Sequence, residues 1–222
     1  SAWKTSTDQT LDWADPLNGE ANRCADAVTE NQPPVGICAS NYAGPVPTVP
    51  HLHGGEVPPV LDGNPNAWFT ADGVYRGHAY YSKAGAVANG AMYRYPNTQE
   101  AAPLWFHDHA LGLTRLNVYA GLAGGYLIVD PALTLPAGLH PIGLQQGTAG
   151  AVDYIIPLVI QDRMFDTNGQ LYFPNMGPNP EHPFWMMEFF GDTNVVNGKV
   201  WPYLNVEARR YRFLLLNASN AR

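Results

Sequence analysis

The chain has 222 residues, with 45% hydrophobic and only 14% charged residues: enough for one to two domains with a real core, and too apolar for intrinsic disorder. Gly 22 and Pro 20 interrupt it too often for long helices. A net charge of −7, with no basic cluster beyond Arg209, Arg210 and Arg212, excludes a nucleic-acid surface, and no apolar run approaches the roughly 20 residues of a membrane span.

In chain order, residues 1–48 read as largely loop, broken by Asn31-Gln32-Pro33-Pro34 and Gly44-Pro45-Val46-Pro47. Cys24 and Cys38 lie 14 apart in that stretch and outside any Cys-x-x-Cys pair, which speaks against a zinc knuckle. A disulfide between them would close a loop of about 15 residues and contribute on the order of 3 kcal/mol. It implies an oxidising compartment. Residues 49–130 hold short strand-like runs, ending in Tyr126-Leu127-Ile128-Val129 as a buried strand stopped by Asp130-Pro131. Ala110 to Tyr119 is the segment suited to a short helix.

Residues 131–152 read as a linker rich in Pro and Gly. Ile155 to Ile160 predict a strand, and Asp166-Thr167-Asn168-Gly169 a hairpin turn. Pro174 to Pro183 is expected to be loop, and Arg210 to Asn217 strand. The class is all-β, with a first domain over 1–130, the linker over 131–152, and the first part of a second domain over 153–222. Strand-like residues run to Asn217 with no further strands to complete that sheet, so the second domain is expected to be incomplete.

Four of the seven histidines fall in two His-x-His pairs, His51-Leu52-His53 and His107-Asp108-His109. In a strand, residues i and i+2 share a face about 6.6 Å apart. Each pair can therefore reach two neighbouring metal ions or opposite sides of a cluster, with Leu52 and Asp108 facing away. Neutral imidazole suits copper, zinc, iron or nickel. One such pair is weak and also opens many zinc hydrolase barrels; two in a lysine-poor all-β chain point to a metal centre. His78, His140 and His182 are isolated and read as ordinary loop histidines.

The context of these pairs resembles a known family. His51-Leu52-His53-Gly54-Gly55, with Asp62-Gly63 and Ala67-Trp68-Phe69, is similar to the first copper motif of multicopper oxidases. Leu104-Trp105-Phe106-His107-Asp108-His109-Ala110, continued by Leu113 to Leu122, resembles the second. Val196-Asn197-Gly198-Lys199-Val200-Trp201-Pro202-Tyr203-Leu204 extends the likeness to the branch holding bacterial spore-coat laccases, phenoxazinone synthases and bilirubin oxidases.

The resemblance implies cupredoxin-like Greek-key β-sandwich domains in an oxidase that takes electrons from a phenolic or similar reductant at a type 1 copper. They pass to a trinuclear cluster, where dioxygen is reduced to water. By motif position His51 corresponds to a type 2 copper ligand, and His53, His107 and His109 to type 3 ligands. Asp62, nine residues after His53, falls where this branch places an acidic residue near the cluster, suited to relaying protons; the alternative is an ordinary turn aspartate before Gly63. Trp105 and Trp68 are expected to pack around the site.

The departures are as informative. The family needs four His-x-His-type segments and this chain has two; neither cysteine has a histidine neighbour, so no type 1 copper site can be built from it. The family's opening strands are expected to be largely missing, residues 1–10 resembling the end of such a set. The expectation is a segment of a longer oxidase supplying half the trinuclear ligands, with the remainder and the type 1 copper on other polypeptides, in an extracellular, periplasmic or spore- or cell-surface setting. Two other readings stay open: a non-catalytic copper-binding or structural domain of a degenerate oxidase, and a zinc hydrolase with Asp62 as base.

Overall fold

The computed structural model describes residues 4, 6–18, 41–130, 132, 155–174, 176 and 188–220. Cys24, Cys38, His140 and His182, the 131–152 segment apart from Ala132, and most of the Pro174–Pro183 loop lie outside the described residues.

Strands dominate, as the composition predicts. Strands β1 (Pro47–Thr48), β2 (Pro50–His53), β3 (Phe69–Thr70), β4 (Pro103–Asp108) and β5 (Ala123–Leu127) fall in the first half, with a short helix α1 (Thr114–Tyr119) between β4 and β5. Strands β6 (Ile155–Arg163), β7 (Thr193–Val196), β8 (Lys199–Val200) and β9 (Arg212–Asn217) follow. They form a β1-β3 ribbon, a three-stranded sheet in the order β2-β4-β5, and a four-stranded sheet in the order β8-β7-β6-β9. All pairs are antiparallel except β6 with β9, which is parallel. Among the described residues no helix is long and apolar enough to cross a membrane.

Proline and asparagine set several boundaries. Proline opens β2, an edge strand, and β4, positions where a missing N–H is tolerated. Pro157 lies in the half of β6 beyond the reach of β7. There the Asn197 amide takes the place of a strand, donating to Pro157 O at 2.9 Å and accepting from Val159 N–H at 2.9 Å. Asn197 and Gly198, at φ 50 and 79, turn β7 into β8 as a two-residue hairpin of the type that requires positive φ at both positions. The Asp166–Gly169 turn forms as expected: Gly169 N–H bonds Asp166 O, and Phe165 bridges Leu171.

Two expectations shift. The helix begins only at Thr114, because Ala110 to Leu113 make a turn instead. The strand expected at Tyr126–Val129 is β5, ending at Leu127 and half-buried rather than buried, with Val129 exposed. It lies at an edge of its sheet, so one flank has no neighbour to cover it.

The core gathers Trp13, Val49, Trp68, Ala110, Leu113, Leu116 and Tyr119 with Phe173 and Phe189. Tyr119 links the two halves of the chain. Phe173 and Phe189 stack at 5.6 Å and meet its ring edge-on at 5.2 and 4.8 Å. Its hydroxyl accepts from Met164 N–H at 2.8 Å and donates to Tyr172 O at 2.6 Å. Replacing Tyr119 by Phe keeps the packing but leaves the Met164 N–H without that acceptor. The expected cost is about 1–3 kcal/mol, read as a lower urea midpoint with unchanged slope.

Candidate metal centre

The two histidine pairs meet through strand register. β2 and β4 run antiparallel with His51 opposite His107, His53 opposite Trp105, Leu52 opposite Phe106 and Pro50 opposite Asp108. Directly opposed residues share a face, so His51, His53, Trp105 and His107 stand together. His109 lies just beyond β4, and its N–H donates to Val49 O at 2.9 Å, which carries the ladder on by one residue. Leu52 and Asp108 point the other way, as the spacing requires, and both are buried.

His51, His53 and His107 form a nearly equilateral triangle, with ring centroids 5.4, 5.2 and 5.3 Å apart. Their ligand nitrogens all lie within 4.8 Å of one another. His109 flanks this group, its ring 4.7 Å from His51 and 5.9 Å from His107. The structure thus brings the four predicted histidines together, three as a common donor set and the fourth beside it.

Main-chain carbonyls orient two of the rings. His51 Nδ1–H donates to Asp62 O at 2.6 Å and His107 Nδ1–H to Asp108 O at 2.7 Å. A carbonyl can only accept, so each ring carries its proton on Nδ1 and offers an Nε2 lone pair. Metal-binding histidines are held by the same device. His107 Nε2 faces His53 Nδ1 at 3.2 Å. Burial, reinforced by the neighbouring His51, His53 and His109, holds the His107 imidazole below its ordinary pKa of 6.5, which favours the neutral form a metal needs.

Asp62 reaches the site chiefly through its backbone. Its carboxylate is exposed and stands 3.5 Å from His51 Nδ1, farther than its own carbonyl. Gly63, at φ +75, allows this approach: a Cβ there would sit 2.5 Å from His51 Cβ. Trp105 walls the triangle, its ring 4.3 Å from His107 and 5.4 Å from His53, whereas Trp68 joins the core with Trp13 and Val49.

The residue that sequence reasoning set aside is Asp108. Its carboxylate accepts from Val49 N–H at 2.9 Å, Ala110 N–H at 3.1 Å and Asn117 Nδ2 at 2.9 Å. Asn117, fully buried on α1, also donates to Pro47 O at 3.0 Å. Burial pushes the Asp108 carboxyl above its ordinary value against the pull of these bonds. The available signal was an acid placed on the core side of a strand, where only a fully bonded carboxylate is tolerated.

The donors fit a first-row transition metal. They are all imidazoles, with lone pairs fixed by carbonyls, and the His109 Nδ1 is buried with no hydrogen-bond partner. Imidazole sets suit copper among the possible ions. Fold and site together define a cupredoxin-like metalloprotein.

No protein-family profile matches the chain. It is, however, 45% identical over 184 residues to a laccase of Bacillus subtilis (strain 168), covering 80% of this chain and 32% of that protein. It is 44% identical over 180 residues to Multicopper oxidase LPR1 of Arabidopsis thaliana, covering 81% and 28%. Among solved structures, the McoA multicopper oxidase of Aquifex aeolicus superposes with a TM-score of 0.52 at 32% identity, over 79% of this chain and 32% of that one. The chain belongs to the multicopper oxidase family, and spans about a third of the length of the curated relatives it matches.

Replacing Asp108 by Asn leaves three donors sharing one neutral oxygen. The expected result is a loss of about 1–3 kcal/mol of stability and a 10–100-fold weaker copper affinity in the fraction still folded, measured by urea unfolding and by copper titration under native conditions.

Proposed function

We propose that the chain supplies part of the trinuclear copper site of a laccase-type oxidase. The overall reaction couples one-electron oxidation of phenolic or similar substrates to four-electron reduction of dioxygen to water. In this reading His51 serves a type 2 copper and His53, His107 and His109 serve type 3 coppers. The observation that carries it is the cross-strand triangle with its ring protons tied to carbonyls. Bound copper would supply the one-electron redox chemistry and the place for dioxygen.

The chain's own contribution is positional. Cross-strand register fixes the spacing of the donors, the Asp62 and Asp108 carbonyls aim the His51 and His107 rings, and Trp105 shields one side. Asp62 has a carboxylate open to solvent and close to His51, a position from which it can take protons from water and hold them beside the site. The remaining histidines and the type 1 copper come from polypeptide outside these 222 residues, since the sequence holds no His-Cys-His element. The 1–130 and 153–222 stretches are then parts of successive cupredoxin domains, working where a Cys24–Cys38 disulfide is stable, outside the reducing cytosol.

Two measurements test this reading. The purified chain given copper should hold it weakly and stay colourless after dialysis, because half a cluster leaves coordination positions open; tight stoichiometric copper in the chain alone overturns the half-site. Combined with the complementary oxidase polypeptide, it should turn blue and consume oxygen with a phenolic reductant. There His107→Ala abolishes turnover, while Asp62→Asn keeps its copper and slows turnover about 100-fold or more. Copper binding without turnover in the full assembly would instead identify a non-catalytic copper domain.

A further inference from the structure

The four-stranded sheet carries apolar side chains where water should meet polar ones. Along β9 exposure alternates with period two: Arg212, Leu214 and Leu216 are half-buried, while Phe213, Leu215 and Asn217 are exposed. A strand covered on one side only normally holds polar residues at its outward positions. Here two of those positions hold Phe213, 43% exposed, and Leu215, 64% exposed. Parallel register sets them directly opposite Ile156 and Leu158 of β6, so the four side chains make one apolar stripe two strands wide. Tyr211, just before β9, lengthens it: its ring stacks on Phe213 with centroids 5.9 Å apart.

None of these outward residues is charged, and charge is a usual means by which an open strand keeps neighbours away. Arg212, the charged residue of β9, belongs to the opposite face with Leu214 and Leu216. Among the described residues β9 is also an edge of its sheet, so one flank of its backbone has no strand beside it. Single apolar side chains are ordinary on a surface, whereas a contiguous patch marks an interaction site. β9 in addition lies against β4, the strand that carries His107. A partner seated on β9 is therefore joined to the histidine-bearing sheet through a single strand.

We propose that the stripe of Tyr211, Phe213 and Leu215, with Ile156 and Leu158, is the docking surface for an apolar β-sheet layer of the complementary oxidase polypeptide. The inference rests on the reading above, in which the remaining copper ligands come from polypeptide outside these 222 residues. Two observations single out that occupant. A flat apolar sheet face is buried by a second sheet packed about 10 Å away, which asks for strands rather than for a lone peptide. The chain also spans only about a third of the length of its curated relatives, so most of such an oxidase is available to supply the layer. A second copy of this chain would offer the same stripe but no His-Cys-His element, and would cover the face without completing the oxidase. One partner thus fills both openings, the apolar stripe supplying affinity and the partner's own ligands completing the copper centre.

The test mixes the full chain with polypeptide made from the part of the Bacillus subtilis laccase that the chain does not match, and follows association by analytical ultracentrifugation. Leu215→Lys places a charge in the stripe at a position already open to water. The chain alone should therefore keep its urea midpoint, while its affinity for the partner falls at least tenfold. Val74→Lys, at a residue 67% exposed and outside this sheet, should leave the affinity unchanged. No association of the native chain, or equal weakening by the two variants, overturns the docking surface. So does self-association of the native chain that Leu215→Lys abolishes, which assigns the stripe to a second copy. The copper reading is tested separately in the same mixture by the electron paramagnetic resonance signal of bound copper(II). His107→Ala should diminish that signal without changing association. A native complex that forms but holds no copper overturns the copper reading and leaves the docking surface standing.

Discussion

The Asp108 carboxylate is the contact on which the metal centre depends. It sits between two histidines yet faces the core, and its bonds reach the residue before β2, the turn after β4, and α1 through Asn117. Asn117 extends the set to β1 by holding Pro47 O. One charge thus sets the relative position of three strands and a helix. Its burial is costly, and the three donors offset that cost. Because strand side chains alternate, a one-residue slip of β2 against β4 would turn histidines toward the core and Leu52 toward the site. The carboxylate and the core-side Leu52 both oppose that slip.

Donor chemistry follows from this register. Placing His51 opposite His107 brings two imidazoles from different strands within reach of a third, which no single His-x-His pair could arrange. The carbonyls of Asp62 and Asp108 then decide which nitrogen of each ring carries the proton. These are backbone atoms, so their positions are set by the turn at Gly63 and by the end of β4 rather than by flexible side chains. The two carbonyls thus limit the rotation of the His51 and His107 rings.

Much of this was legible in the sequence, and the losses have identifiable causes. His-x-His spacing predicted that each pair shares a face, because period-2 alternation is local geometry. It could not show that the pairs oppose one another, since pairing between residues more than fifty positions apart depends on turns and core packing along the whole path. The Asp166–Gly169 turn and the β6 and β9 strands were readable from turn chemistry and from runs of Ile, Leu and Val. The helix was overextended at its start because apolar spacing cannot distinguish a tight turn from a first helical turn. β5 was expected to be buried because apolar residues describe a strand's preference, whereas its edge position is set by the other strands. Asp108 was read only as facing away; its role as an acceptor requires knowing that Val49 and Asn117 converge there.

The contrast between Asp62 and Asp108 shows how one residue type is given two uses by its surroundings. Asp108 is enclosed, bonded on every side and fixed, and proton exchange with water would require breaking the contacts that hold β2 and β4 in register. Asp62 lies on a loop beyond a short 3-10 turn (Pro59–Leu61), with its carbonyl committed to His51 and its carboxylate left in solvent. The backbone of Asp62 therefore holds an imidazole still while its carboxylate stays open to solvent. One aspartate thus fixes strand register from the core side through its side chain, and the other fixes a ring from a loop through its backbone.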